Sequence, residues 1–345
     1  MDISMKKLLL ALSLASTFTH LSVSADDFVA AEIINKNYDQ LTNTSPRASR
    51  LEGINLSSYV VDENGQVSDI EIVASLGQKK YQREALDYVS KLNYKSAQIN
   101  GSAVPTAKTI TVSSQNVHAS FSNDQASPAF FDDYEKASQL IDDKKYDEAK
   151  TYITELENEH TKNTVEIVLL AWLKSQHSYF VQDWKSFDKS IYEAFLFRDN
   201  LPDQIKKRVI KNALQWFISK QDYVRAYDAI DALGDIESIT FSEENRAQLL
   251  AQVNDIYKNS GAINQQITLE SEKAVLPLLS KGTVELSASK PLSKVQLRCE
   301  NKVVNYNTNE IDKILISKND IRCGLLIKSA QAQTVTLKQT GESFL

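Results

Sequence analysis

The residues best suited to catalysis or metal binding are few in this 345-residue chain, and they do not cluster in the sequence. The histidines are His20, His118, His160 and His177, and no two of them have the spacing of paired metal ligands. His177 is expected on the surface or in a groove of a helix rather than as a general base. No glycine-rich phosphate loop, Gly-x-Ser-x-Gly or His-Glu-x-x-His sequence occurs. We therefore expect no bound metal, no cofactor and no catalysis.

Two acidic pairs are better explained by local structure than by ion binding. Asp132-Asp133 is expected to be negative charge near the start of a helix, where the helix dipole favours it. Asp142-Asp143 lacks the alternating oxygen ligands and the closing glutamate of a calcium loop. We therefore expect this second pair to lie in a solvated turn.

Cys299 and Cys323 are the only cysteines, and we expect them to form a disulfide. The bond would close a loop of about 25 residues and contribute on the order of 3 kcal/mol to the free energy of unfolding in the loop-entropy model. A two-cysteine metal site would need further ligands, and no histidine lies near either cysteine in the sequence.

The composition is that of a folded protein, with 42% apolar and 24% charged residues, and the length allows two or three domains. The net charge of −6 argues against a nucleic-acid or anionic-lipid partner. Residues 1–25 have the pattern of a cleaved secretory signal: Lys6-Lys7, an apolar run over 8–14 and small residues at Val23-Ser24-Ala25. We expect an exported protein that is not integral to the membrane; an uncleaved anchor is the alternative.

One stretch between residues 53 and 114 carries the clearest pattern of secondary structure. Two apolar runs flank a turn that ends in Asn64-Gly65, and Asn-Gly is the strongest short-range signal for a hairpin. A helical period follows over residues 81–92, Asn100-Gly101 turns the chain again, and residues 108–112 alternate like a half-buried strand. The predicted order is strand, strand, helix, strand.

The same stretch resembles the C-terminal domain of the TonB family. The similarity lies in Glu52-Gly53, in residues 61–69 at the hairpin, and in residues 82–85 and 92–94 on the helix. The sequence departs from the family at Ser45-Pro46, where many members have Tyr-Pro. The resemblance implies that the third strand is a sheet edge that pairs with an extended segment of an outer-membrane receptor.

By this resemblance, the predicted edge strand binds a partner through Thr106, Lys108, Thr109, Ile110, Thr111 and Val112. Unpaired backbone groups at a sheet edge supply affinity, and alternate side chains supply selection. The alternative is an edge covered by the N-terminal segment of the chain itself or by a dimer partner.

A repeating helical pattern runs from residue 130 to residue 262. An aromatic residue opens each unit, and residues at offsets of three, seven and ten share its helix face. The units lie 38 and 39 residues apart and consist of Tyr146, Ala149, Ile153 and Leu156, then Trp184, Phe187, Ile191 and Ala194, then Tyr223, Ala226, Ile230 and Leu233. The pattern resembles tetratricopeptide-like (TPR-like) repeats, although its period exceeds the usual 34 residues.

We expect these units to stack into a degenerate three-repeat solenoid, because two-helix units bury their apolar faces only against each other. A final helix capped by Ser242 is expected to end it. The resemblance implies a groove that binds a partner, for which Trp172, Tyr179 and Trp216 are the candidates. The alternative is that most of these aromatic residues form the core between repeats.

Beyond residue 269 the apolar period becomes two, in short runs about ten residues apart that favour a small β-sandwich or barrel. The predicted class is therefore a multidomain α+β protein. Its predicted parts are the signal peptide at 1–25, the TonB-like domain at 26–116, a linker at 117–129, the solenoid at 130–262 and the β domain at 270–345. A short helix is also expected within residues 26–43.

A TonB protein that transduces energy needs a membrane helix and a long proline-rich reach, whereas here the TonB-like domain closely follows the predicted signal. The leading hypothesis is a non-enzymatic periplasmic adaptor for TonB-dependent outer-membrane transport. A TonB-dependent receptor or TonB motor components are the expected protein partners. The alternatives are an envelope scaffold or assembly factor unrelated to transport, and an envelope enzyme with its site in the C-terminal domain.

Overall fold

The computed structural model describes residues 27–35, 52–114, 126–236, 241–308, 310–311 and 313–345. The predicted signal peptide, His20, His118 and most of the predicted linker lie outside these residues. The described chain forms three regions in sequence order: a β-rich region with one helix, a helical region and an all-β region. This order confirms the predicted multidomain α+β class.

The first region is built on a three-stranded antiparallel sheet in the order β4-β3-β8, with β3 in the centre. Helix α1 packs on one face of this sheet through buried aromatic and aliphatic side chains. The elements are β1 (Phe28–Val29), β2 (Glu32–Asn35), β3 (Gly53–Val61), β4 (Val67–Gly77), α1 (Lys79–Ser90), β5 (Asn93–Lys95), β6 (Ala97–Ile99), β7 (Ser102–Val104) and β8 (Thr106–Ser114).

The two predicted turns are present in this region, and their glycines are needed. Gly65 has a φ of 80°, and a Cβ on it would lie 1.8 Å from the carbonyl oxygen of Tyr94. Asn64 keeps a negative φ, so only the glycine of this first pair is left-handed. Asn100 and Gly101 both have a positive φ, 52° and 79°, and connect β6 to β7.

The prediction of a short helix within residues 26–43 is wrong for the residues that the structure describes, which form two strands. Strand β1 pairs antiparallel with β6, and β2 pairs antiparallel with β5. Backbone hydrogen bonds to strands of the folded domain outweigh a weak helical period in so short a segment. Residues 27–35 therefore pair away from β8, and residues 36–43 lie outside the described residues.

The second region consists of helices that pack in consecutive pairs, α2 with α3, α4 with α5 and α6 with α7, which is consistent with the predicted repeats. Their bounds are α2 (Pro128–Asp142), α3 (Tyr146–Glu155), α4 (Thr164–Phe180), α5 (Trp184–Leu196), α6 (Asp203–Ser219), α7 (Tyr223–Gly234) and α8 (Glu243–Asn259), with a π-helical turn at Leu156–His160 and a 3₁₀ turn at Arg198–Asn200. Ser242 caps α8 by accepting the Asn245 N–H at 3.2 Å, so the predicted capping helix is confirmed.

The same turn connects the two helices of each pair. Lys144, Gln182 and Gln221 occupy its equivalent position, and each has a left-handed φ between 57° and 62°. The N–H of the next residue donates to the carbonyl five residues earlier at 2.8–2.9 Å in all three turns, as in a Schellman cap. The spacing of these turns, 38 and 39 residues, is the spacing of the sequence pattern.

The third region is a sandwich of two four-stranded antiparallel sheets, in the orders β10-β15-β12-β13 and β14-β11-β16-β9, around one apolar core. Its strands are β9 (Ile263–Leu269), β10 (Ala274–Val275), β11 (Lys281–Ala288), β12 (Lys294–Cys299), β13 (Lys302–Asn305), β14 (Ile314–Leu315), β15 (Gly324–Lys328) and β16 (Gln333–Ser343). The predicted disulfide joins Cys299 to Cys323. Strand β9 adds the seven residues that the predicted boundaries had left between solenoid and β domain.

We predict that Gln182→Gly stabilises the protein by about 0.5 to 1 kcal/mol, because glycine adopts a left-handed φ without the steric cost of a Cβ. Gln182 is exposed, so the change removes no buried contact. The midpoint of urea denaturation should rise. Val181→Gly is the matched control: this neighbour is also exposed, its φ is −86°, and glycine there should lower the midpoint. A lower midpoint for Gln182→Gly would contradict the prediction.

Candidate protein-binding surfaces

The face of the β4-β3-β8 sheet that points away from α1 is covered by the rest of the chain. Its first half is apolar and packs into the core of the helical region, where α4 and α5 contact the sheet. The residues that make this contact are Ile54, Leu56, Ala74 and Leu76. The sheet and the helices therefore share one apolar core.

Two buried carboxylates fix the start of α4 against the sheet. Glu52 accepts the Thr164 N–H at 2.8 Å, and its own N–H donates to the carbonyl of Lys162 at 2.7 Å. Glu166 accepts backbone N–H groups from Lys162 at 2.7 Å and from Ser127, before α2, at 2.8 Å. Free N–H groups and the positive dipole end of a helix favour negative charge at this position. These contacts join the sheet, α2 and α4.

The second half of the same face is polar and packs against the sandwich. Arg298 of β12 is 1% exposed, and its guanidinium donates to Ser58 Oγ and to the carbonyl of Asp69, both at 2.8 Å. The contacts of Arg298 were not predicted from the sequence. The available signal was the alternation in β12, where Lys294, Gln296 and Arg298 alternate with the core residues Val295, Leu297 and Cys299.

Asp69 is the centre of this polar contact. It has a left-handed φ of 52° beside a bulge in β4, and its carboxylate accepts hydrogen bonds from Lys294 and, at 2.6 Å, from Gln296. Burial raises the pKa of Asp69, but these hydrogen bonds and the charge of Arg298 outweigh it and hold the pKa below its ordinary value. The ionised carboxylate is therefore the form that the interface binds.

The outer edge of β8 is the predicted partner-binding strand. Among the described strands, β3 alone hydrogen-bonds to β8. Thr109 and Thr111 are exposed, and Lys108 and Ile110 are half-buried. The two ends of the strand are buried, unlike its middle. Val112 is buried beside α1, and Thr106 is buried with its hydroxyl donating to the carbonyl of Glu300. The middle of the strand is thus its accessible part.

The helical region exposes a cluster of aromatic side chains at its second turn. Tyr179 is 52% exposed, and Phe180, Val181 and Trp184 are exposed to a similar extent. The rings are in contact: the Tyr179 ring centroid lies 5.8 Å from that of Trp184, and Trp184 stacks on Trp216 at 6.1 Å. Exposed contiguous aromatic surface is typical of a protein-binding site. We refer to Tyr179, Phe180, Trp184 and Trp216 as the aromatic cluster.

The structure places the three predicted groove residues in different surroundings. Trp172 is 5% exposed and lies in the core between helices. Trp216 is half-buried, and its indole N–H donates to Asp188 Oδ1 at 2.6 Å. Tyr179 is the exposed member. The structure therefore brings Tyr179 and Trp216 together and leaves Trp172 apart from them.

The comparison with protein families identifies the family that the first region matches. Residues 45–113 match the family model of the Gram-negative bacterial TonB protein C-terminal domain. This region is a TonB-like domain. A search of the curated proteins finds no match to the chain. The TonB-like domain is of the periplasmic type, and its presence supports an envelope protein that takes part in protein interactions. None of the helices described here combines the length and apolar character that a bilayer span requires.

We predict that Arg298→Ala destabilises the protein by about 3 to 5 kcal/mol, because it leaves buried acceptors of the TonB-like domain without their charged partner. Urea denaturation measures the loss. Arg322→Ala is the control, since this side chain is 67% exposed and its nearest carboxylate oxygens lie 3.5 and 3.7 Å away. The control should lose less than about 0.5 kcal/mol. Equal losses for the two variants would show that the buried arginine has no special role.

We predict that Asp69→Asn weakens the fold at pH 6 more than at pH 3. A carboxylate whose folded pKa lies below its unfolded value of 3.8 contributes stability above that value and loses it as the pH falls through the folded pKa. Asparagine tolerates the left-handed φ, so the substitution removes the charge and one acceptor oxygen without straining the backbone. The difference in urea midpoint between the two proteins should shrink on acidification. A difference that stays constant would contradict this.

Proposed function

We propose that the protein is a non-enzymatic periplasmic adaptor whose TonB-like domain binds an extended segment of a partner protein at the edge of β8. The observation that carries this proposal is the exposure of Thr109 and Thr111 on a strand with one described hydrogen-bonded neighbour. An added strand would satisfy the outward N–H and C=O groups of β8 and extend the sheet.

The surroundings of β8 limit how a partner strand binds. One face of the sheet is covered by α1, and the other is covered by the helices and the sandwich, so the partner enters in the plane of the sheet. The contact between Thr106 and Glu300 closes the start of the strand. We therefore place the partner along residues 107–111, a length of about 16 Å at 3.3 Å per residue.

The partner class that best fits this edge is a TonB-dependent outer-membrane receptor or a component of the TonB motor. The family match supports this choice, since the matched residues include the edge strand from Thr106 to residue 113. The protein would then be accessory to TonB-dependent transport. The aromatic cluster would serve as a second contact for the same assembly, because Tyr179 and Trp184 offer large apolar area with little rotamer entropy to lose.

An envelope scaffold unrelated to transport is the second candidate function. The observation that favours it is the fusion of the TonB-like domain to a helical region with its own exposed aromatic surface. In that case, the partners are proteins of envelope assembly.

Site-specific photo-crosslinking in the native cell tests the proposal. A photoreactive residue at Thr109 should give an adduct with an outer-membrane receptor or a TonB motor protein, identified by mass spectrometry. A probe at Tyr179 reports separately on the aromatic cluster. Thr268 is the matched control, because it is also an exposed threonine on an edge strand, β9 of the sandwich.

The outcome separates the candidate functions. A receptor or motor adduct from Thr109 and none from Thr268 supports the transport adaptor. Adducts of Thr109 with envelope-assembly proteins alone would replace it with the scaffold. Equal labelling from Thr109 and Thr268, or none from Thr109, would remove β8 as a partner-binding edge.

A further inference from the structure

Three potential metal ligands from two parts of the sequence meet at the end of the first helical pair. One carboxylate oxygen of Asp133, one of Glu155 and a ring nitrogen of His160 all lie within 4.8 Å of one another. His160 Nε2 and Asp133 Oδ2 are 3.5 Å apart. Asp133 lies on α2, Glu155 is the last residue of α3, and His160 ends the π-helical turn.

The π-helical turn is what brings two of these ligands together. Residues five apart on an α-helix point about 140° away from each other, because each residue turns the helix by about 100°. The Thr161 N–H instead donates to the carbonyl of Leu156, five residues back, at 2.9 Å. This wider turn stacks residues five apart, so Glu155 and His160 both face α2. Such turns are rare and occur frequently at functional sites.

The side chain of Asp133 is already divided between two roles. Its Oδ1 accepts a hydrogen bond from the ammonium group of Lys136 at 3.2 Å, while its Oδ2 faces His160. Asp133 and His160 are partly buried, and Glu155 is exposed, so the group is open to solvent on one side. A metal ion could therefore enter and keep water in its remaining positions.

We propose that Asp133, Glu155 and His160 form a binding site for a first-row divalent metal ion, with Zn²⁺ as the best fit. One imidazole nitrogen and two carboxylate oxygens suit zinc, whereas magnesium and calcium prefer sites with oxygen ligands alone. Ligand bonds of about 2.0 to 2.2 Å bring ligand atoms within about 3 to 4 Å of one another. The three ligand atoms lie within 4.8 Å of one another, so modest changes in the side-chain torsions would bring them to this spacing.

The bound ion would tie α2 to the end of α3 and stabilise the first helical pair. This role is independent of the edge strand, because it involves other elements of the chain. No local sequence pattern predicts this site, because Asp133 and His160 are 27 residues apart and their approach depends on an irregular turn.

Isothermal titration of the untagged full chain with zinc chloride tests the site. We expect one equivalent to bind at pH 7 and the melting temperature to rise with zinc. His160→Gln and Glu155→Gln should each weaken binding by at least ten-fold and reduce the thermal shift.

Two control variants keep the test specific. Glu157→Gln changes another carboxylate of the same turn, one that pairs with Lys174 at 2.6 Å, and should bind zinc normally. His177→Gln removes the other described histidine, whose Nε2 lies 3.0 Å from the Tyr146 carbonyl oxygen, and should also bind normally. Glu155 is exposed, so its variant should fold even if the histidine variant does not. Undiminished affinity in Glu155→Gln and His160→Gln, or no saturable binding by the unmodified chain, would overturn the proposal.

Discussion

The central sheet of the TonB-like domain has a second face that its own helix does not cover, and the rest of the chain must bury that face. Half of the face is apolar and accepts the helices, while the other half is polar and accepts the sandwich. The polar half imposes the stricter requirement, because a buried guanidinium is stable only with its acceptors in place. Arg298 meets that requirement through Ser58 and Asp69, so all three regions are fixed to one sheet.

Within the part of the chain that the structure describes, this two-sided burial leaves the edges of the sheet as its accessible parts. Strand β8 keeps an exposed centre, and Thr106 at its start is held by the turn that follows the disulfide-linked Cys299. The sandwich thereby determines how much of the edge a partner could use. A TonB-like domain without these neighbours would also expose the polar face around Asp69, so the whole chain determines which parts of the sheet are accessible.

Local patterns allowed much of the fold to be predicted from the sequence. Gly65 and Asn100-Gly101 identified turns because their backbone requirements are local, and the offsets after Tyr146 identified a helix face for the same reason. Strands β1 and β2 were missed because they gain their hydrogen bonds from distant partners. The contact of Asp69 with Arg298 joins residues 229 positions apart, and no local period reports such a pairing. His160 approaches Asp133 only because of the π-helical turn, which sequence periodicity does not reveal.

The three turns between paired helices have a consequence for how such a protein diverges. Backbone groups make the hydrogen bonds that define these turns, and the left-handed position holds lysine once and glutamine twice. Natural selection that preserves the backbone conformation of these turns therefore restricts the side chain at the left-handed position only weakly. Copies of one ancestral unit would drift apart in sequence while their backbones stay superimposable. The common origin of such units would then remain visible in their backbone φ angles after their sequences have ceased to be similar.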